Sequence, residues 1–576
     1  MNLSPEKRIA GILLPLFALR GEDDLGIGDT GALREFIDWA VEIGFRLVQL
    51  LPINETGADN SPYNAISALA IEPTTLHLGP NSPEDLTRED FDAALADIDP
   101  STALPRRWAD RTNLRRGGVK YRQVKKSKRC LLEQAFANFS ARASKDRQSG
   151  FRKFCEEEAA WLQDYAFFRV LMEQNDDNAA WNRWPAQHQS MERARTWLRD
   201  LPQDEQAAIT NRQNFFCYVQ WIAHQQWREI KSYAEERGVA LMGDIPFGVS
   251  YYSADVFARR DEFVLDWCGG APPEPYFKDD EFTQKWGQNW GIPLYRWDKM
   301  RANNFEWWRE RVRAVRRIFH LFRIDHVLGF YRIYAFPWRP RKNKQFLPLD
   351  RNEMLERTSG RAPHFVPCDD DTPENCEANK RDGEEYLRVV LEEAGATRVI
   401  GEDLGTVPDY VRPNLRALGV AGFKIPQWEV RDEKITPGDR YERLSVATYT
   451  THDHKPIRAL WEEALERPTA TSEQARFDLA KIAVFAGFGP KIETVGFEKD
   501  FYPAVMEALF RSNAWIAVVM ITDLLARKYR FNVPGTTANS NWTRRMQRNV
   551  AQLRSSRKTH ARMRLIHDLL EKTGRV

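Results

Sequence analysis

Residues 318–338 read IFHLFRIDHVLGFYRIYAFPW, and the fold turns on how this run is parsed. An apolar stretch of strand length leads to Arg323 and Asp325, and Gly329 marks a turn shortly after, so a charged pair sits where a buried strand meets solvent. In an extended strand, residues two apart share a face, which aims Arg323 and Asp325 the same way. A guanidinium beside a carboxylate favours the ionised acid, the state a carboxylate nucleophile requires. The same pair would equally serve as a structural ion pair closing a strand end, and the rest of the chain has to separate the two readings.

Seven further runs have strand character: residues 9–17 (IAGILLPLF), 45–51 (FRLVQLL), 239–247 (VALMGDIPF), 398–402 (RVIGE), 420–425 (VAGFKI), 446–449 (VATY) and 515–525 (WIAVVMITDLL). Helical spacing separates most of them. Leu33, Phe36, Ile37, Ala40 and Val41 share one face of a helix over about 30–43 that Gly44 stops. Val219, Ile222, Ala223, Trp227, Ile230 and Ala234 form a second stripe ending at Gly238, and Phe305, Trp308, Val312, Val315 and Phe319 a third over about 304–319. The opening β–α–β unit implies a parallel sheet. Eight strand candidates in order favour a (β/α)8 TIM barrel over an open doubly wound sheet, and no GxGxxG or GxxxxGK[ST] follows any of them. Residues 80–238 are charged, helical and Trp-rich, a large helical insertion after the second strand. The expected division is 1–79, 80–238 and 239–576, with further loop insertions near 252–298 and 339–381.

The 576 residues are 42% hydrophobic and 29% charged, ordinary for a globular chain with a sizeable core. A formal net charge of +2 argues against nucleic acid or an acidic membrane as partner. Acidic residues flank the basic run 115–129 and no aromatic RNA-binding motif accompanies it, so it reads as a solvated loop and helix start, and the basic segment 544–564 as a solvated helical face. The 12% aromatic share suits the flat faces of sugar rings, although large cores use aromatics too. Cys130, Cys155, Cys217, Cys268, Cys368 and Cys376 lie far apart without a CxxC pair, which suggests a thiol-bearing cytoplasmic protein with neither a zinc site nor a disulfide framework. The apolar run 9–19 after Lys7 and Arg8 has signal-peptide length, but Arg20, Glu22, Asp23 and Asp24 follow without a small-residue cleavage site, so it reads as a buried strand. No run of about 18 apolar residues predicts a membrane span.

Asp325 ends the fourth strand, Glu402 the fifth, and Asp453 lies just past the seventh in Thr450-Thr451-His452-Asp453. Barrel strands all open on one face at their C-terminal ends, so three carboxylates distant in sequence become neighbours. Two carboxyls about 5 to 5.5 Å apart perform retaining glycosyl transfer, one attacking the anomeric carbon and the other exchanging the proton. Arg323 would keep Asp325 anionic, while crowding with Asp325 and Asp403, or desolvation, would keep Glu402 protonated. Asp453 with His452 would bind sugar hydroxyls as the ring flattens. Two other readings stay open on the residues alone. Asp244, Asp325 and Glu402 could hold Mg²⁺ in an enolase-like barrel with Lys424 as base. A catalytically idle glycan-binding protein would leave the pairing of Arg323 and Asp325 without purpose.

The motifs themselves are familiar. LGIGD (25–29), SPY (61–63), GDIPF (243–247), GQNWGIPLY (287–295), FRIDH (322–326), GEDLG (401–405), THD (451–453), PGT (534–536) and NW (541–542) together resemble the 4-α-glucanotransferases, the amylomaltases or disproportionating enzymes of glycoside hydrolase family 77 in the α-amylase clan, over nearly the whole chain. The resemblance implies Asp325 as nucleophile, Glu402 as general acid/base and Asp453 as transition-state stabiliser. It also implies that Arg323 and His452 line the donor subsite, and that Ser61, Tyr63 and the loop from Gln288 to Trp290 shape glycan binding. It implies no metal or organic cofactor, malto-oligosaccharides as donors, and glucose, maltose or a longer glucan as acceptor through its 4-hydroxyl. A hydrolase of the same clan is the alternative, and Trp286, Trp290, Tyr276 and Phe277 are candidates for the dry aromatic site that would favour a sugar over water; each would equally serve to anchor a loop. The run 322–338 looks closer to the maltose-acting plant-type branch. Two departures stand out: His454-Lys455-Pro456 follows THD where the family usually has Asn next, and Glu274 with an additional Pro275 stands where Asp is usual.

Overall fold

In the computed structural model, eight short parallel strands form the barrel: β1 (Ile9–Leu14), β2 (Leu47–Leu50), β3 (Ala240–Pro246), β4 (Leu321–Asp325), β5 (Arg398–Gly401), β6 (Gly422–Lys424), β7 (Ser445–Ala447) and β8 (Ile516–Met520). All residues are described except 1–2, 97–113, 275–279, 470–471, 490–491, 535 and 537–539. The hydrogen-bonded order is β6-β7-β8-β1-β2-β3-β4-β5. A single parallel bridge, Ile400 to Ala421, with the Gly401 N–H donating to the Ala421 carbonyl at 2.9 Å, joins β5 to β6 and closes the ring. Every residue of β1 and β8 is buried, as expected of parallel strands covered on both faces.

The local signals act as anticipated where they are strongest. The first helix spans Thr30–Ile43, capped by the Asp29 carboxylate accepting from the Ala32 N–H and ended by Gly44 at φ +100°, a left-handed conformation that costs a glycine little. The helix Gln203–Glu236 buries the whole stripe from Val219 to Ala234, and Glu306–Ile318 buries Trp308 and Val312. The outer strands are shorter than their apolar runs. Pro15 cannot donate to a ladder, so the first run leaves β1 for a 3-10 turn at Leu16–Ala18, and after Met520 the last run coils into a short helix, Ile521–Leu524.

Three expectations need correction. Residues 252–298 are not loop-like throughout: Phe263–Ala271 and Gln288–Tyr295 pair antiparallel, and with Ile333–Phe336 and His364–Val366 they make a second, four-stranded sheet. Register shifts after Val264 and Gly269 break the alternation by which a strand is recognised, which is why the GGAPP and GQNWG stretches read as loop. The polar excursion 339–381, readable as a surface loop or a small subdomain, is not a bare loop: it holds helices Asn343–Phe346 and Arg351–Arg357, a strand of that sheet, and the start of a 22-residue helix, Pro373–Ala394. The basic runs are not simply solvated. In helix Tyr121–Arg142, Lys128 is buried and donates to the Thr74 and Leu76 carbonyls at 2.7 and 2.6 Å, pinning the segment that follows β2, and Arg545 is buried against Asp24 at 2.9 Å. Between β2 and β3 the described chain is mainly helical, with Lys145–Glu157, Ala159–Gln174 and Met191–Asp200 alongside the two long helices. All six cysteines are free thiols, and among the described residues no helix is long and apolar enough to cross a membrane.

Candidate active site

Strand register places the charges. In the β3/β4 ladder Asp244 lies opposite Arg323, and in the β4/β5 ladder Ile324 lies opposite Gly401, so Asp325 and Glu402 come next, side by side, on strands that neighbour each other at about 4.8 Å. Arg323 is 6% exposed and bridges two carboxylates, Nη1 to Asp244 Oδ2 and Nη2 to Asp325 Oδ1, both at 2.6 Å. A buried guanidinium is tolerated only when paired in this manner. The Tyr63 hydroxyl donates to Asp244 Oδ2 at 2.7 Å, and its ring stacks on His452 with centroids 5.0 Å apart. His452 Nε2 lies 3.1 Å from Asp453 Oδ2, while Asn532 Nδ2 donates to Asp453 Oδ1 at 2.7 Å and the Arg530 guanidinium to its carbonyl.

Glu402 is held by backbone. His326 adopts φ +53°, ψ +56°, a left-handed conformation costing a non-glycine residue roughly 1–2 kcal/mol, and this turn of the chain after β4 presents its N–H to Glu402 Oε2 at 2.8 Å. Burial pushes the Glu402 carboxyl up to about 7; the Arg323 guanidinium and the His326 N–H oppose this, and the Asp325 and Asp403 charges reinforce it. Asp403 itself lies behind the strand ends, accepting from the Phe423 N–H at 2.6 Å and from Arg412 at 2.9 Å. A Cβ on Gly422 would come within 2.8 Å of Asp403 Oδ2, so glycine there makes room for it. Burial disfavours a charged His452, but the adjoining Asp453 carboxylate outweighs it and raises the imidazole above its usual range; conversely, burial works against the charge of Asp453, yet His452 and Asn532 hold its carboxyl well below the usual carboxylate range.

These groups open on a cleft of about 1420 Å³. Asp325, Glu402, Asp453, Arg323 and His452 all line it, and so do Ser61, Tyr63, Gln288 and Trp290. Trp290 is 39% exposed, its Nε1–H donating to Gln288 Oε1 at 3.2 Å and its ring set edge-on to His326. Trp286 does not belong there: it is buried against Trp338 and donates to the Phe346 carbonyl at 3.1 Å, a packing residue of the second sheet. Tyr276 and Phe277 lie outside the described residues. Glu274 lines the cleft, and burial raises its carboxyl.

The magnesium reading fails on geometry. The Arg323 guanidinium occupies the space between Asp244 and Asp325 that a divalent cation would need, and Lys424, one candidate for its base, is engaged by Glu429 and Glu442 at 3.2 and 3.1 Å and does not line the cleft. The departure after THD has a local explanation: burial pushes His454 down to about 4, leaving a neutral ring whose Nδ1 accepts from the Thr451 N–H at 2.9 Å. Sequence reasoning missed Asn532, Arg530 and Asp523. The Asp523 carboxyl, pushed up to about 6 by burial, accepts from the Thr450 hydroxyl and, at 2.7 Å, from the Ile457 N–H, so it grips both ends of the loop carrying His452 and Asp453. A carboxylate inside the apolar run 515–525 was the available signal, because such burial is costly without partners.

The comparisons agree with this architecture. The family model of the 4-alpha-glucanotransferases matches residues 14–551. A 4-alpha-glucanotransferase of Chlamydia pneumoniae is 30% identical over 547 residues, 94% of this chain and 92% of that one. The 4-alpha-glucanotransferase DPE2 of rice (Oryza sativa subsp. japonica) is 32% identical over 340 residues, 57% of this chain and 32% of that one. Among solved structures, the amylomaltase of Streptococcus agalactiae in complex with acarbose superposes with a TM-score of 0.71 at 22% identity, covering 99% of this chain and 100% of that one, a likeness of fold. With a family match spanning nearly the whole chain, this protein belongs to the 4-alpha-glucanotransferases, enzymes of the glycosyltransferase type acting on alpha-1,4-glucans.

Proposed function

We propose that the chain transfers a segment of an α-1,4-glucan with retention of configuration, through a covalent glycosyl-enzyme intermediate. Asp325 attacks the anomeric carbon while Glu402 donates its proton to the departing glycosidic oxygen. The acceptor's 4-hydroxyl then gives its proton to Glu402 as it displaces Asp325. Arg323 orients Asp325 and offsets its charge, and Asp453 with His452 binds ring hydroxyls most tightly as the sugar flattens. The observation that carries this reading is the neighbouring placement of Asp325, bonded to a buried guanidinium, and Glu402, a carboxyl protonated near neutrality. Glucose, maltose and longer glucans are the proposed acceptors, with Trp290 and the rim of the cleft sheltering the intermediate from water. The free thiols suit a reducing cytoplasm, and the helices of residues 80–238 are proposed to be an insertion supporting the site from outside the barrel.

Incubation with maltotriose tests the activity. The expected products are glucose, maltose and oligomers longer than the donor; new reducing ends without lengthening would mean hydrolysis. The pH profile tests the assignment of the acid. A proton on Glu402 is required for bond cleavage and is lost as pH rises through about 7, so kcat/KM should be level just below neutrality and fall about tenfold per unit above it. A profile flat to pH 9 would remove Glu402 from that role.

A further inference from the structure

The wall of the cleft beyond Asp453 carries a feature that the chemistry does not use. Helix Glu473–Phe485 buries Ala475, Leu479, Ile482 and Ala483. Its opposite face carries Gln474, Phe477, Asp478 and Lys481, at the i, i+3, i+4 and i+7 spacing of one helical stripe, and all four line the same cleft as the carboxylates. Phe477 is 55% exposed, the most exposed large hydrophobic side chain among the described residues. It is set off by its neighbours: Lys481 Nζ stands 4.2 Å from the ring centroid, and Gln474 Nε2 donates to Asp478 Oδ1 at 3.0 Å beside it. Trp428, 49% exposed, also lines the cleft, its ring against His454. An aromatic face flanked by an amide, a carboxylate and an ammonium suits a sugar ring, whose C–H face is apolar and whose edge is a ring of hydroxyls.

We propose that the face formed by Gln474, Phe477, Asp478 and Lys481 is a distal glucan subsite, on which a glucose unit remote from the bond being broken stacks against Phe477 while the polar side chains take its hydroxyls. The occupant is the α-1,4-glucan itself, because the face is continuous with the cleft that holds the reacting sugar, so the inference rests on the glucan-transfer reading above. Its consequence is a preference for long chains. On this reading a short donor or acceptor held near Asp325 and Glu402 leaves the helix unoccupied, whereas a longer chain gains one additional stacked ring.

The test compares maltotriose with maltoheptaose. In Phe477→Ala, KM for maltoheptaose should rise roughly twofold to twelvefold, the range expected for one lost aromatic stack, with kcat and all maltotriose kinetics unaltered. Phe477→Trp should restore the long-chain KM. An unchanged KM for maltoheptaose overturns the proposal, and so does an equal rise for both sugars, which would mark general damage to the cleft. A wild-type enzyme that elongates neither sugar would instead overturn the transfer reading, a distinguishable result.

Discussion

Asp325→Asn is expected to lose at least about four orders of magnitude in kcat on maltotriose, the scale seen when an activated nucleophile is removed. The amide is nearly isosteric but its oxygen is a poor nucleophile towards an anomeric carbon, so both halves of the reaction stop. The substitution also leaves Arg323 with a single carboxylate partner, Asp244, in a buried setting. Some loss of stability should therefore accompany it, and a circular-dichroism melt on the same preparation separates that from lost chemistry. Glucan transfer within tenfold of wild type by folded Asp325→Asn would refute the assignment.

Glu402→Gln should act differently, because it removes a proton rather than a nucleophile. On maltotriose the leaving group is a sugar alkoxide that needs protonation, and turnover should fall by about 10³ to 10⁴, the upper range for a general acid. On α-glucosyl fluoride, whose leaving group needs little help, the first step should survive while the second, lacking a base, slows. The glucosyl-enzyme should then accumulate and appear as a mass increase on Asp325. The fall in kcat/KM above pH 7 should vanish in the same variant. Equal losses in the first, glycosylation step on both donors, or a profile that keeps its limb near 7, would show that Glu402 is not the acid.

Much of the barrel was legible because its information is local. The 3.6-residue stripes of the helices Thr30–Ile43, Gln203–Glu236 and Glu306–Ile318, the cap at Asp29 and the glycine stop at Gly44 each depend on residues within a few positions of one another. The eight apolar runs located eight strands, although their ends were set elsewhere: by Pro15 in the first, and in the last by a helix whose Asp523 holds a loop from the neighbouring strand. The four-stranded second sheet escaped notice because bulges at Val264 and Gly269 destroy the period of two on which strand recognition rests. Trp286 was indistinguishable from Trp290 by composition, and only packing separates the buried ring from the one facing the cleft.

By itself the sequence determined the element types, their order, the barrel class and the identities of Arg323, Asp325, Glu402 and Asp453 as strand-end charges, because hydrophobic periodicity and turn chemistry act over short spans. Tertiary structure alone decided that one guanidinium bridges Asp244 and Asp325, that His326 turns its N–H onto Glu402, and that Asn532 and His452 orient Asp453. The reason is that strand register and burial are collective. The shift of Glu402 to about 7 comes from water excluded by the whole fold, while the hydrogen bonds and neighbouring charges that adjust it join residues far apart in the chain.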